Sequence, residues 1–128
     1  MSTAGTLIEK PGMVTTLGLL TLINGILNIV FGLVVTAMIV LGTFFVGIIC
    51  APVTALPAVL GIFEILYAVK LLANPPRPVR ASRTIAILEI CAILAGNVIS
   101  MVVGIVALVF YSDPVVKAHF ERVNAPAA

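Results

Sequence analysis

From Met13 to Leu41 the chain runs 29 residues, MVTTLGLLTLINGILNIVFGLVVTAMIVL, without one charged side chain. A bilayer core is crossed by about 20 apolar residues, or about 25 when the helix tilts. The apolar centre of a signal peptide is only about 7–15 residues long. The run therefore predicts one long, tilted transmembrane helix. Composition agrees, with 62% hydrophobic and 9% charged residues among 128, against roughly 45–50% and 25% in soluble domains. Mean hydropathy is +1.29. So small a soluble domain leaves too much surface exposed to hide that much apolar side chain. A soluble globule, a disordered chain, a coiled coil and a nucleic-acid binder are all excluded.

The remaining segments divide at prolines, glycines and charges. Residues 1–12 form a polar lead ending Glu9-Lys10-Pro11-Gly12. Gly42, Gly47, Pro52 and Pro57 interrupt the next apolar stretch, and proline begins or kinks a helix. This predicts an outer loop near 42–52, with a second transmembrane helix beginning between Ile48 and Val53 and ending near Ala73. Residues 74–83, NPPRPVRASR, are a clear break. A third transmembrane helix is expected over 84–111, with Tyr111 as an interfacial aromatic. In 112–128, Ser112-Asp113-Pro114 supplies an N-cap and a first-turn proline. Val115, Val116, His119, Phe120 and Val123 follow at roughly helical spacing, which predicts a short interfacial amphipathic helix. His119 is expected to face solvent or headgroups. The predicted fold class is an all-α integral membrane protein, a compact three-helix bundle with a C-terminal interfacial helix.

Four cations, Lys70, Arg77, Arg80 and Arg83, fall in or beside the 74–83 segment, which has no acid. Positive-inside bias makes that loop cytoplasmic. Three spans then put the N-terminus in the cytoplasm and the C-terminus outside, in the cell (inner) membrane. The same cluster would also suit an anionic-lipid or nucleotide-phosphate patch. Cys50 and Cys91 are expected toward opposite faces, unpaired, as apolar fillers.

Glu64 and Glu89 are the ionisable groups deep within the predicted spans. At 1.5 Å per residue, Glu64 lies about 14 Å above Ala73 and Glu89 about 9 Å above Arg83. At 100° per residue, Pro57, Gly61, Glu64 and Ala68 share one face of the second helix. Glu89, Gly96, Ser100 and Ala107 align on the third, with Asn97 and Gly104 beside them. The first helix offers Gly18, Thr21, Gly25, Asn28 and Gly32, with Asn24 adjoining. Such stripes mark close helix packing. Depth matching pairs Asn24 and Thr21 with the two acids, and Asn28 with Asn97 and Ser100. Two roles stay open for the acids, proton or cation binding and neutral hydrogen-bonded glue.

The stretch Leu17-Gly18, Ile23-Asn24-Gly25-Ile26 and Phe31-Gly32 resembles the first helix of the membrane-spanning four-domain family. Ala51-Pro52, Pro57 and Gly61 are similar to that family's second-span entry. The closing Tyr111-Ser112-Asp113-Pro114 and Val116-Lys117-Ala118-His119-Phe120 resemble the ends of small multi-pass bacterial membrane proteins. The chain departs from the four-domain pattern in lacking a fourth helix. The resemblance implies an oligomeric, non-enzymatic membrane component that modulates partners.

No phosphate-binding glycine loop, HExxH, GxSxG or paired-cysteine motif occurs. No catalytic residue, cofactor or metal site is therefore expected. The expected function is an oligomeric or accessory subunit of a membrane complex, with lipid, further copies or other membrane subunits as partners. The alternative is a proton- or cation-coupled small transporter or channel using Glu64 and Glu89.

Overall fold

The computed structural model describes residues 8–126; the first seven residues of the predicted lead and the last two of the tail lie outside them. The chain is all-helical, 80% helix without strands among the described residues. Helix α1 spans Gly12–Gly42. A tight turn follows in which Phe44 and Phe45 take positive φ, 49° and 69°. Thr43 holds this turn: its hydroxyl donates to the Ile39 carbonyl and accepts from the Gly47 amide, both at 2.6 Å. A 3-10 turn, Val46–Cys50, then leads into α2, Ala51–Thr54, and α3, Leu56–Leu72. Gly12–Gly42 and Val46–Leu72 are each long and apolar enough to cross a membrane, and the count reaches three if the bent pair at the chain's end is taken as one span.

Helix α1 and the α2–α3 segment run antiparallel. A Cβ on Gly18 would meet Leu72 and Leu71, one on Gly25 would meet Gly61 and Glu64, and one on Gly32 would meet Ala58. Thr36 and Thr54 hydrogen-bond across the pair at 2.9 Å. Glycines every seven residues on α1 thus bring two backbones together by removing side chains from the seam.

The expected third helix over 84–111 is not one helix. Helix α4, Arg83–Cys91, runs into a 3-10 turn, Ala92–Ala95, and stops. Gly96 takes φ +81°, and Asn97 caps α5, Val98–Ser112, by accepting the Ser100 amide at 3.1 Å. A glycine in the left-handed region ends a helix and an asparagine starts the next. The chain therefore doubles back. A Cβ on Gly104 would meet the Ala86 carbonyl and Glu89, eighteen and fifteen residues earlier, which a continuous helix would hold far apart. Gly96 is accordingly a turn residue; nothing lies within 4 Å of its missing Cβ.

Because α4 and α5 form a hairpin, α5 returns to the end from which α4 started. Tyr111 donates to Tyr67 at 3.0 Å, and Tyr67 donates to the Arg80 carbonyl at 2.9 Å. Asp113 accepts the Val115 and Val116 amides at 2.8 and 3.4 Å and starts α6, Pro114–Val123, bent 77° from α5. Asn124 then donates to the Val79 carbonyl at 2.8 Å, and Lys10 to the Ala73 carbonyl at 2.8 Å. The expected placement of the C-terminal segment opposite the N-terminal one is thus corrected: residues 8–12, 73–82 and 113–126 share one end. That end carries all seven Lys/Arg and every acid except Glu64 and Glu89. The main apolar core lies there too, with Val14, Leu17, Leu71, Ala107, Val116 and Phe120 buried together.

Candidate functional site: a buried carboxyl and amide cluster

The periodicity of α1 puts Asn24 and Asn28 one turn apart on its buried face. Glu64 faces them from α3, Glu89 from α4 and Ser100 from α5; all five are at most 1% exposed. Asn28 Nδ2 donates to both oxygens of Glu64, at 2.9 and 3.0 Å, and lies 3.2 Å from Ser100 Oγ. Asn24 Nδ2 lies 3.2 Å from Glu64 Oε1, 3.3 Å from Glu89 Oε1 and 3.1 Å from Ser100 Oγ. Asn97 donates to Asn28 Oδ1, so one side chain both caps α5 and ties the hairpin tip to α1. All six expected polar residues meet in one site. Glu89 and Ser100 both reach Asn24 because the hairpin folds them together; on a single helix, eleven residues would separate them by about 16 Å.

The two carboxyls share one donor, Asn24 Nδ2, at 3.2 Å from Glu64 Oε1 and 3.3 Å from Glu89 Oε1. Each amide nitrogen has two hydrogens for three acceptors. Asn24 Oδ1 is buried without a partner among the described residues. The cluster is therefore rich in acceptors and short of donors, and its recorded partners are amides and a hydroxyl with no cation among them. A carboxyl proton or a water supplies the kind of donor that such a cluster needs. Among the described residues, no group of three or more His, Cys, Asp or Glu converges as a metal site.

One turn toward the charged end, Tyr67 and Tyr111 form a second polar layer. Tyr67 Oη also accepts the Ser82 amide at 3.1 Å, so the pair fastens α3, α5 and the basic loop. Tyr111 is buried, 4% exposed. The i, i+3 spacing of Glu64 and Tyr67 was the available signal for this layer. His119 is also buried, 1% exposed, with Nδ1 unpartnered among the described residues, contrary to the expected solvated position. Its ring lies against Phe120. Burial, followed by the charges of Arg122 and Lys10, lowers its pKa.

The expected packing glycines Gly18, Gly25, Gly32, Gly61 and Gly104 are all consumed within the chain. Their stripes therefore supply no free face for oligomerisation. Of the basic residues, Lys70, Arg80 and Arg83 line one cavity, and Arg77 lies outside its wall. Cys50 and Cys91 are free and exposed.

Comparison with protein-family models, curated proteins and solved structures finds no match for this chain.

Proposed function

We propose that the protein is a multi-pass component of the cell membrane, with α1 and the α2–α3 segment spanning the bilayer and the α4–α5 hairpin entering halfway from the cytoplasmic side. All seven cations share one end, which supports a cytoplasmic location for both termini and the basic loop. The chain is a non-enzymatic accessory or oligomeric subunit. The resemblance to the membrane-spanning four-domain family points the same way.

One observation carries the accessory role. The hairpin tip reaches the level of Asn28, about 24 Å along a helix of about 46 Å. Among the described residues, the carbonyls of Leu94, Ala95 and Gly96 and the amides of Val98 and Ile99 have no partner within the chain. Leu94 is 90% exposed there. Lipid covers a leucine but cannot satisfy backbone polar groups, and non-helical backbone at membrane depth needs protein or water against it. A neighbouring polypeptide meets both requirements. The test is a photo-crosslinking residue at Leu94 in native membranes, with Ile62 as a lipid-facing control. A discrete protein adduct at Leu94, of this chain or another membrane protein, is expected. Lipid adducts alone at both positions would refute the role.

The carboxyl pair favours the second reading, a proton- or cation-coupled transporter using Glu64 and Glu89. It needs a route beyond the cluster. Toward the far end, the side-chain hydrogen bond between α1 and the α2–α3 segment is Thr36–Thr54 among the described residues. Proton or cation flux in liposomes that falls when both acids become Gln would establish this reading; absent flux would remove it.

A further inference from the structure

At the charged end an open cavity of about 590 Å³ is walled by Lys70 and Tyr67 from α3, by Arg80 and Ser82 from the loop, and by Arg83 and Thr84 from the start of α4. Three cations from three successive pieces of chain therefore converge on one concavity. Positive-inside bias requires cations at this end, but it does not require them to share a wall. Glu9, Asp113 and Glu121 lie at the same end, but no Asp or Glu is in the wall of this cavity among the described residues. The cations that hydrogen-bond within the fold are Lys10 and Arg122, among the described residues. Lys70, Arg80 and Arg83 are exposed and have no such bond. Three like charges around one cavity repel unless an anion joins them.

We propose that this cavity is a binding site for the headgroup of an anionic phospholipid, with Lys70, Arg80 and Arg83 around its phosphate and the Thr84 hydroxyl as a further donor. The site rests on the membrane-spanning reading of α1 and α3. A lipid source is favoured over a soluble phosphate by position. Tyr67 and Lys70 belong to the last six residues of α3, so the cavity opens where that apolar helix ends. Pro78, Val79 and Ala81 give it an apolar side suited to a glycerol backbone. A headgroup confined to the bilayer surface also arrives already concentrated at that level.

The purified full-length protein in nanodiscs of equimolar phosphatidylglycerol and phosphatidylcholine, stripped stepwise and weighed by native mass spectrometry, tests the site. The wild type is expected to retain phosphatidylglycerol over phosphatidylcholine by about tenfold or more, since each cation near an anionic surface contributes about fivefold. The variant K70Q/R80Q/R83Q should fall below about twofold. R80K/R83K, which keeps the charges, and K117Q/R122Q, which removes two cations from the same end outside the wall, should keep the preference. Should the triple variant not incorporate, Arg83→Gln alone should lose about fivefold. An unchanged preference in the triple or single variant overturns the site. So does an equal loss in K117Q/R122Q, which would indicate diffuse charge alone. Abolition of the preference by inorganic phosphate would mark a soluble-phosphate site and overturn the lipid assignment. Wild type that enters nanodiscs but shows no preference refutes the site alone, whereas a chain that never enters them refutes the spanning helices.

Discussion

Replacing Asn28 with Ala removes the most heavily used side chain of the buried cluster. Its Nδ2 serves both oxygens of Glu64, at 2.9 and 3.0 Å, and its Oδ1 receives Asn97. The residue is 0% exposed, so bulk water does not stand in for it. Side-chain hydrogen bonds between helices in membranes average about 0.6 kcal/mol and reach about 1.7. A buried polar group left without its partner costs about 1–3 kcal/mol. Two weakened bonds to Glu64 plus one orphaned amide on Asn97 therefore sum to about 3 kcal/mol, or roughly a hundredfold in the unfolding equilibrium. Reversible unfolding by SDS in mixed micelles, followed with a Förster pair on α3 and α5, measures this. Thr36→Ala is the reference: it breaks one part-buried hydroxyl pair and should cost below about 1 kcal/mol. Asn28→Ala and Glu64→Ala should couple by about 1–2 kcal/mol, because each removes the group that the other serves. If Asn28→Ala costs no more than Thr36→Ala, or the two substitutions simply add, the cluster does not hold the two hairpins together.

Three further outcomes follow from the geometry. Gly104→Val should destabilise by about 1–3 kcal/mol through overpacking, since its Cβ would lie 2.5 Å from the Ala86 carbonyl; Gly96→Ala, with open space but φ +81°, should cost about 1–2 kcal/mol from backbone strain, both read in the same micelles. Peptide tags on the two termini should be cleaved by an impermeant protease from the same membrane face; cleavage from opposite faces would restore a single third span. His119 has a depressed pKa in the folded state, so the neutral ring is favoured there. Docking of α6 should be intact above the ordinary value of about 6.5 and be lost as pH falls from there through the folded value. Amide exchange of 115–123 at pH 7.5 and 5 reads this, and His119→Leu should flatten the response.

Helix placement was largely legible because length and charge decide it. The charge-free run from Met13, the turn residues near Gly42 and the arginine–proline loop each have one natural interpretation, and Ser82 and Asp113 cap the helices that follow them. The six polar residues of the cluster were legible as stripes, since burying a carboxyl or amide demands a partner at the same depth. The hairpin was hidden by a coincidence of spacing. Gly96, Ser100 and Gly104 fall four apart, which imitates one packing face, and residues 84–111 are long enough for a full span. The stop signal was nevertheless present: glycine followed by asparagine supplies a left-handed helix end and an N-cap in adjacent positions. The burial of His119 is not legible in the sequence, because helical spacing does not show that an amphipathic helix lays its histidine against the end of a bundle.

The turn at Gly96 also bears on how such a chain is made. In the proposed arrangement, with α1 and α3 spanning the bilayer and the second hairpin returning to its side of entry, the stretch that would emerge on the far face is Thr43 to Cys50, TFFVGIIC, which has no ionisable group beyond one thiol. Every formal charge apart from two carboxyls would then stay on the side of synthesis. Translocation would then carry almost no electrostatic work, with two helical pairs entering the membrane one after the other as folded-back units.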